Sequence, residues 1–286
     1  ITGVSGLIGS RITQYLCKNN IKVVGCGRAK KSPFKIKNFE YFSFDWNNFY
    51  LIEKYLSTGK VSSIIHLAAM QSPISETNVL ECLELNTIST YRLAEIALKN
   101  KVKQFIFFST MHVYQQLEDK TKLISPQTKN RIYPVSKLMG EYLLNTINFD
   151  DSETKNIIIR LSNAVGGGYP ISNNKTQLLV NSLCTQAVEK KYIALKSDPL
   201  TIRDFIPIES LCRILADKIL FNENKEGIID ISSGENLTIL HIAKLIKKQY
   251  ISIFNREIEI HIEDRYKGKN LYYANPSTKL EKDLKK

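Results

Sequence analysis

From residue 1 onward, short runs of β-branched and aromatic residues alternate with amphipathic stretches of helical period. That alternation is the signature of parallel βαβ units, because a strand needs a covered return path before a parallel neighbour can pair with it. Strands are expected over residues 22–26, 41–44, 63–67, 104–109 and 156–161, and helices over 7–19, 49–56, 79–99 and 135–147. The run Phe105-Ile106-Phe107-Phe108 is apolar at every position, so its strand is expected to be buried on both faces, as in a doubly wound sheet. Beyond residue 165 the texture changes to a glycine-rich turn, an asparagine-rich loop and helices over 178–190, 208–220 and 239–249. The expected fold is α/β: a doubly wound parallel sheet over residues 1–164 and a smaller C-terminal α/β lobe over 165–286, interleaved with the sheet.

The 286 residues, 43% of them apolar, suffice for one large or two modest cores. No apolar run approaches the ~20 residues that span a bilayer, and no secretory leader pattern opens the chain, so a cytoplasmic protein is expected. Cys17, Cys26, Cys82, Cys184 and Cys212 are scattered and never spaced C-x-x-C, which reads as small buried hydrophobes in a reducing compartment. The four histidines lie far apart, so no metal site is expected. Forty Lys plus Arg against 28 Asp plus Glu give a net charge of +12. These cations are spread over ordinary helix surfaces without an aromatic-interleaved stripe; nucleic acid is not an expected partner, whereas small anionic ligands stay open.

The chain opens Thr2-Gly3-Val4-Ser5-Gly6-Leu7-Ile8-Gly9 and runs into a helix. Glycine permits a tight turn and close approach of backbone N–H groups, so Gly3, Ser5, Gly6, Leu7, Ile8 and Gly9 are candidate contacts to a pyrophosphate on the positive end of the helix dipole. With a second strand ending Val23-Val24-Gly25-Cys26-Gly27-Arg28, the loop points to a dinucleotide. An NAD site usually offers a carboxylate to the ribose about 20 residues beyond the glycines; here Gly27 and Arg28 stand there, followed by Lys30 and Lys31. Nothing at that point repels a 2′-phosphate and a guanidinium can grip it, which favours NADP(H). The alternative is that Arg28 is a solvated loop residue and NAD is accepted. Asp45, followed by Trp46, can accept the adenine amino group or cap the next helix. His66-Leu67-Ala68-Ala69 ends a strand in small residues that let backbone pass close to a cofactor, with His66 itself either structural or catalytic.

Tyr133-Pro134-Val135-Ser136-Lys137 places a phenol and an ammonium four residues apart, on one helix face. The ammonium can depress the phenol pKa from its ordinary ~10 toward neutrality and hold ribose hydroxyls of a nicotinamide cofactor. A phenolate there can take a proton from a sugar hydroxyl as hydride leaves, or return one to a carbonyl as hydride arrives. Ser109-Thr110 ends a strand, and the Thr110 hydroxyl can fix the reacting oxygen. Y-x-x-x-K alone is a common coincidence; in this order with a glycine loop, H-x-A-A and Ser-Thr it is specific.

These motifs resemble an extended short-chain dehydrogenase/reductase of the NAD(P)-dependent epimerase/dehydratase family over nearly the whole chain. The likeness rests on T-G-x-x-G-x-x-G from Thr2 to Gly9, Asp45, H-x-A-A at His66, Asn86, S-T-x-x-V-Y from Ser109 to Tyr114, and Y-P-x-S-K. It implies a Rossmann-like sheet with a C-terminal substrate-binding lobe, Tyr133 as acid/base, Lys137 as its pKa modulator, Thr110 as substrate-orienting hydroxyl and Asn86 as a helix-bending or proton-relay member. It also implies a nucleotide-sugar substrate. Arg160-Leu161-Ser162-Asn163 is similar to the family's R-x-x-N, whose Asn contacts the diphosphate. Arg203-Asp204-Phe205 is similar to R-D-F, whose Arg reaches the same phosphates; an ion pair with a neighbouring carboxylate is the other reading of Arg203. The stretch Asp264-Arg265-Tyr266-Lys267-Gly268-Lys269 is loosely similar to R-x-G-D and makes Arg265 a substrate candidate, but Lys269 replaces the Asp, so UDP is not implied. Gln115 and Gly167 also depart from the family's Gly and Pro. The family often pairs the Asn86 and Tyr133 helices into a four-helix bundle, which implies a homodimer; Leu138, Met139, Tyr142 and Leu143 could face a partner or the sheet.

Dehydratases of this family follow the active Thr with Asp-Glu, whereas Met111-His112 stand here, so 4,6-dehydration is not expected. What is expected is hydride transfer at a sugar carbon, once in a 4-ketoreductase or twice in a 4-epimerase. His112, a substrate-side candidate, either supplies a proton at a neighbouring carbon or packs at the strand end. A reductase of another small carbonyl substrate and a non-catalytic NADP-binding sensor are the alternatives. Finally, only Ile1 precedes Thr2-Gly3, where a strand of about five residues should stand. Together with Tyr273-Ala274-Asn275-Pro276-Ser277, similar to the family's A-D-x-S-K segment, this makes a trimmed copy of a longer protein the expectation.

Overall fold

Parallel pairing organises the computed structural model, which describes residues 1–114, 122–125, 131–149, 152–170, 178–220, 222 and 224–263. Its strands are β1 (Val23–Gly27), β2 (Phe39–Ser43), β3 (Ser63–His66), β4 (Gln104–Thr110), β5 (Lys155–Leu161), β6 (Asn163–Val165), β7 (Tyr192–Leu195), β8 (Ile202–Pro207), β9 (Gly227–Ile231), β10 (Asn236–Thr238) and β11 (Glu259–Ile262). Its helices are α1 (Leu7–Lys18), α2 (Tyr50–Leu56), α3 (Ile74–Thr77), α4 (Val79–Leu83), α5 (Ser89–Lys99), α6 (Ile132–Leu144), α7 (Leu179–Thr185), α8 (Ile208–Ile214) and α9 (Ile239–Phe254). Among the described residues no helix is long and apolar enough to cross a membrane.

In the main sheet β2 pairs with β1, and β3, β4, β5 and β9 follow one another, all parallel. Thr2 joins the two parts through parallel bridges to Cys26 and His66. The strand order therefore reverses about residues 1–2, and the crevice beyond the strands' C-terminal ends at such a reversal is where open α/β sheets bind ligands. Strand β4 is buried at all seven positions. Ile106 and Phe108 pack with α1 and α8, through Ile12, Leu16, Leu211 and Ile214. Phe105 and Phe107 pack with α2, α5 and α6, through Ile52, Leu56, Leu93 and Leu144. The period-two alternation of a strand thus feeds two helix layers, which is the doubly wound arrangement expected. Strand β9, from beyond residue 165, pairs with β5 at the end of this sheet.

The remaining C-terminal strands form two small sheets, β6-β8-β10 and β7-β11, over a separate core in which Leu183, Ile193, Leu195, Ile242 and Tyr250 meet. Strand β9 is not among the expected strands, whereas β1 to β5 fall within about two residues of expectation. Two helices do not. The helix expected from 135 begins at Ile132, because Pro134 sits in the first turn, where no intrahelical N–H partner is needed. The helix expected over 79–99 is broken by a π turn, Glu84–Ile88, centred on Asn86.

Candidate active site

The glycine loop is locked to the strand beside it by one hydroxyl. Thr2 Oγ1 accepts the N–H groups of Leu67 and Ala68, both at 3.1 Å, and so donates its own proton to His66 Nδ1 at 2.8 Å. That assignment leaves the ring proton on His66 Nε2, which donates to Thr90 Oγ1 at 3.0 Å; Thr90 in turn donates to the Asn86 carbonyl at 2.9 Å. His66 is fully buried, and burial, then the Lys137 and N-terminal charges, hold its pKa well below the ordinary imidazole value. Both nitrogens are therefore engaged in structure, which is the structural reading of His66.

Gly3 has φ +69°, and a Cβ there would lie 2.8 Å from the Ala68 nitrogen. A Cβ on Gly9 would overlap the Gly3 carbonyl, and one on Gly6 would come within 3.1 Å of the same oxygen. Helix α1 starts at Gly6 without a side-chain cap. Its first-turn N–H groups, at Leu7, Ile8 and Gly9, need a partner from outside the helix. A cradle that excludes side chains and ends in an uncapped helix fits the pyrophosphate of a dinucleotide. At the end of β1, Arg28, Lys30 and Lys31 are exposed, and the Tyr41 hydroxyl braces the turn at 3.0 Å from the Gly27 carbonyl and 2.6 Å from that of Ala29. Asp45 Oδ1 accepts the Asn47 N–H at 3.0 Å in a local turn; α2 starts only at Tyr50, so Asp45 is not its cap. Trp46 packs edge-on against Phe44 and lies 5.5 Å from the His66 ring.

The chemical end lies where β4 meets α6. Thr110, buried at the last position of β4, accepts the His112 N–H at 3.3 Å and donates toward Tyr133. The Tyr133 phenol is pushed up to about 12 by burial and then by nearby Cys82, with the Thr110 hydroxyl pulling the other way. The expected depression of the phenol toward neutrality is therefore not realised in this structure: Lys137 instead points its ammonium at the Phe107 ring, 4.0 Å from the centroid. Asn86 is fully buried within its π turn. Its amide accepts the Met70 N–H at 2.7 Å and donates to the Met70 carbonyl and to Ser136 Oγ, both at 2.9 Å, which fastens the loop after Ala69 to α6.

Lys137 is buried, and burial lowers its pKa from 10.5 to about 7, against the opposing influence of Glu141 and Cys82. Between those two values the unfolded chain holds a proton on Lys137 that the folded chain has shed. Stability without added dinucleotide should therefore rise with pH over that window, by up to about 1.4 kcal/mol per unit from this residue. Lys137→Met is expected to flatten the slope between pH 7 and 10, read as urea-denaturation midpoints. An unchanged slope would show that the lysine stays charged in the fold.

On the substrate side, His112 is exposed; neighbouring protein atoms, then the Arg203 and Arg131 cations, lower it to about 4. Arg203 and Arg131 thus converge on one spot. Arg131 was not among the sequence candidates, although a cation two residues ahead of Tyr133 was legible. Asn163 donates to the Asp204 carbonyl at 2.8 Å. Asp204, fully buried, accepts the Ser233 and Gly234 N–H groups at 2.9 and 2.7 Å and the hydroxyls of Ser162 and Ser233, and so acts as a structural staple. Arg265 lies outside the described residues.

Residues 1–229 match the model of the NAD dependent epimerase/dehydratase family. The chain belongs to that family. Among the relatives of this epimerase/dehydratase-family enzyme, UDP-glucuronate 4-epimerase of Thermodesulfobacterium geofontis is 25% identical, over 100% of this chain and 93% of the relative. ADP-L-glycero-D-manno-heptose-6-epimerase of Brachyspira hyodysenteriae is 28% identical, over 98% and 89%. The Bacillus cereus UDP-glucuronic acid 4-epimerase, solved with UDP-glucuronic acid and NAD, superposes with a TM-score of 0.76 at 23% identity, covering 96% of this chain and 88% of that one. The similarity to that structure is one of fold: an α/β, Rossmann-like chain.

Proposed function

We propose that this enzyme transfers hydride at a carbon of a nucleotide sugar, as a 4-epimerase or 4-ketoreductase, with Tyr133 as acid/base. The observation that carries the reading is the placement of Tyr133 opposite Thr110, with the buried Lys137 one helical turn further along α6. A bound nicotinamide dinucleotide supplies the hydride acceptor and donor. Gly3, Gly6 and Gly9 and the first-turn amides of α1 would hold its pyrophosphate, and Asp45, Leu67, Ala68 and Ala69 would border it. Tyr133 Oη exchanges a proton with the sugar oxygen, Thr110 orients that oxygen, and Lys137 offers its ammonium to the ribose. Arg203, with Asn163 and His112 beside it, would face the nucleotide diphosphate, as the converging cations favour. Structures of similar fold that hold a UDP sugar together with NAD support the substrate class.

The dinucleotide is the finer question. The family's description and the NAD in solved relatives weigh toward NAD, while the exposed Arg28 after Gly27, with no carboxylate between them, favours NADP(H). A thermal-shift panel that pairs NADH or NADPH with UDP, GDP, dTDP and CDP sugars is expected to show one pair far above the rest, since saturation at a hundred times Kd stabilises by ~2.7 kcal/mol. NADPH binding should weaken in Arg28→Ala and NADH binding should not. Equal binding of the two, unaltered by that substitution, removes the NADP(H) preference, and no shift with any nucleotide sugar favours a different carbonyl substrate. Leu80, Ile88, Met139 and Tyr142 are exposed on the helices of Asn86 and Tyr133, so a homodimer through that face belongs to the same proposal, and sedimentation of the panel samples reads it.

A further inference from the structure

The helix that carries Tyr133 and Lys137 has no cap of its own: its N-cap residue, Arg131, makes no side-chain bond to the first turn. The acceptor comes from a different part of the chain. Glu76, on the single-turn helix α3, takes the Ile132 N–H on Oε2 at 3.1 Å. Its other oxygen is held by the Ser72 hydroxyl at 2.9 Å and lies 3.4 Å from that of Ser75. Burial alone would raise the Glu76 carboxyl, but the Ile132 N–H, the two serine hydroxyls and the Tyr133 N–H outweigh it and hold the group below its ordinary value. The side chain is thus a carboxylate at the positive end of the α6 dipole, where a negative charge is favourable.

We propose that Glu76 is a positioning residue for Tyr133, fixing the first turn of α6 and with it the direction in which the phenol meets Thr110. The segment 70–76 leaves the cofactor loop and is tied to α6 at two points one turn apart. Asn86 clamps Met70 to Ser136, and Glu76 reaches Ile132. With only the Asn86 clamp, Ser136 and Lys137 stay fixed while the turn before them can fray, and Tyr133 lies in that turn. Glu76 therefore couples the strand-end loop of β3, which borders the dinucleotide, to the orientation of the acid/base. The inference rests on the reading of Tyr133 as proton carrier, yet its test needs no substrate.

The experiment places 3-fluorotyrosine at position 133 of the full chain and compares wild type, Glu76→Ala and Glu76→Gln by ¹⁹F NMR and by hydrogen exchange of the amides of 132 and 133. Glu76→Ala should shift or broaden the fluorine resonance and cost those amides about tenfold in protection, the factor typical of a lost cap. Glu76→Gln retains an acceptor for the Ile132 N–H, while its amide can donate to the serine hydroxyls, so it should restore both signals. Protection elsewhere in α6 should not change. An unaltered resonance and unaltered exchange in Glu76→Ala, or a Gln variant that behaves like Ala, overturns the proposal. Because neither readout involves turnover, a finding that Tyr133 is not the acid/base would leave these outcomes interpretable.

Discussion

Tyr133→Phe is expected to reduce turnover of the responding nucleotide sugar by roughly 10²–10⁴, the contribution of a positioned acid/base, while leaving dinucleotide affinity unchanged. The substitution removes one hydroxyl and keeps the ring, so packing and the α6 turn survive. The two directions of the reaction should differ in pH response. With burial pushing the phenol up to about 12, Tyr133 is protonated at pH 7, ready to donate a proton to a carbonyl and slower to accept one from a hydroxyl. Reduction of a keto sugar should therefore be nearly flat near neutrality, and oxidation of the hydroxyl should accelerate with rising pH until a bound cation lowers the phenol. Lys137 is the cation on the same helix face; burial lowers it to about 7, so the charged share able to do this falls as pH rises. Single-turnover rates in both directions across pH 6 to 9, for wild type and Tyr133→Phe, measure this. Retention of more than about a tenth of the rate by the Phe variant, or an oxidative pH slope that survives it, would assign the proton transfer to another group.

The sheet was legible because its strands carry their own signal. Phe105 to Phe108 can only be a strand with apolar layers above and below, and the structure divides exactly those side chains between α1 with α8 and α2 with α5 and α6. The short strands β6, β7, β10 and β11 were not legible: each is three or four residues long and depends on a partner far away, as β7 does on β11. At the site, residue types could be read but not their states. Tyr133 and Lys137 share a helix face as the spacing implies, yet the phenol is raised and not depressed, because both groups are buried and burial is invisible in a local motif. Glu76 escaped notice for a related reason. Its partner, Ile132, is 56 residues away, and a capping carboxylate is recognisable in sequence only when it stands beside its helix. The period puts Asn86 in a helix and the resemblance implies a bend, but the bonds of its amide to Met70 and Ser136 join segments too far apart in the chain for a local pattern to reveal.

The largest stability effect is expected behind the site, at Arg160 and Glu141. Arg160 was read as the head of R-x-x-N, a motif noted for its Asn, but its guanidinium turns inward and is buried. Nη2 donates to Glu141 Oε2 at 2.6 Å, Nε lies 3.1 and 3.2 Å from the two carboxylate oxygens, and Nη1 donates to the Tyr114 hydroxyl at 2.9 Å. That hydroxyl sits 2.8 Å from both oxygens of Asp230, and the Ser109 hydroxyl donates to Glu141. Burial opposes the charge on Arg160, yet the bonds and charge of Glu141 outweigh it and raise the guanidinium further. Removing one member leaves the other charged and dry without its ion-pair partner, so Arg160→Met or Glu141→Leu alone should each cost about 3–5 kcal/mol in urea denaturation. The double variant should recover most of that loss, because two apolar side chains need no solvation to replace, and the recovery is the coupling between the pair. Catalysis should not recover with it. Ser109 precedes Thr110 on β4, and Glu141 stands one turn beyond Lys137 on α6, so the pair joins the strand and the helix whose meeting defines the acid/base geometry. A stable double variant with slow turnover would assign the pair to registry of β4 against α6; single variants that lose less than about 1 kcal/mol would show the network to be wet and dispensable.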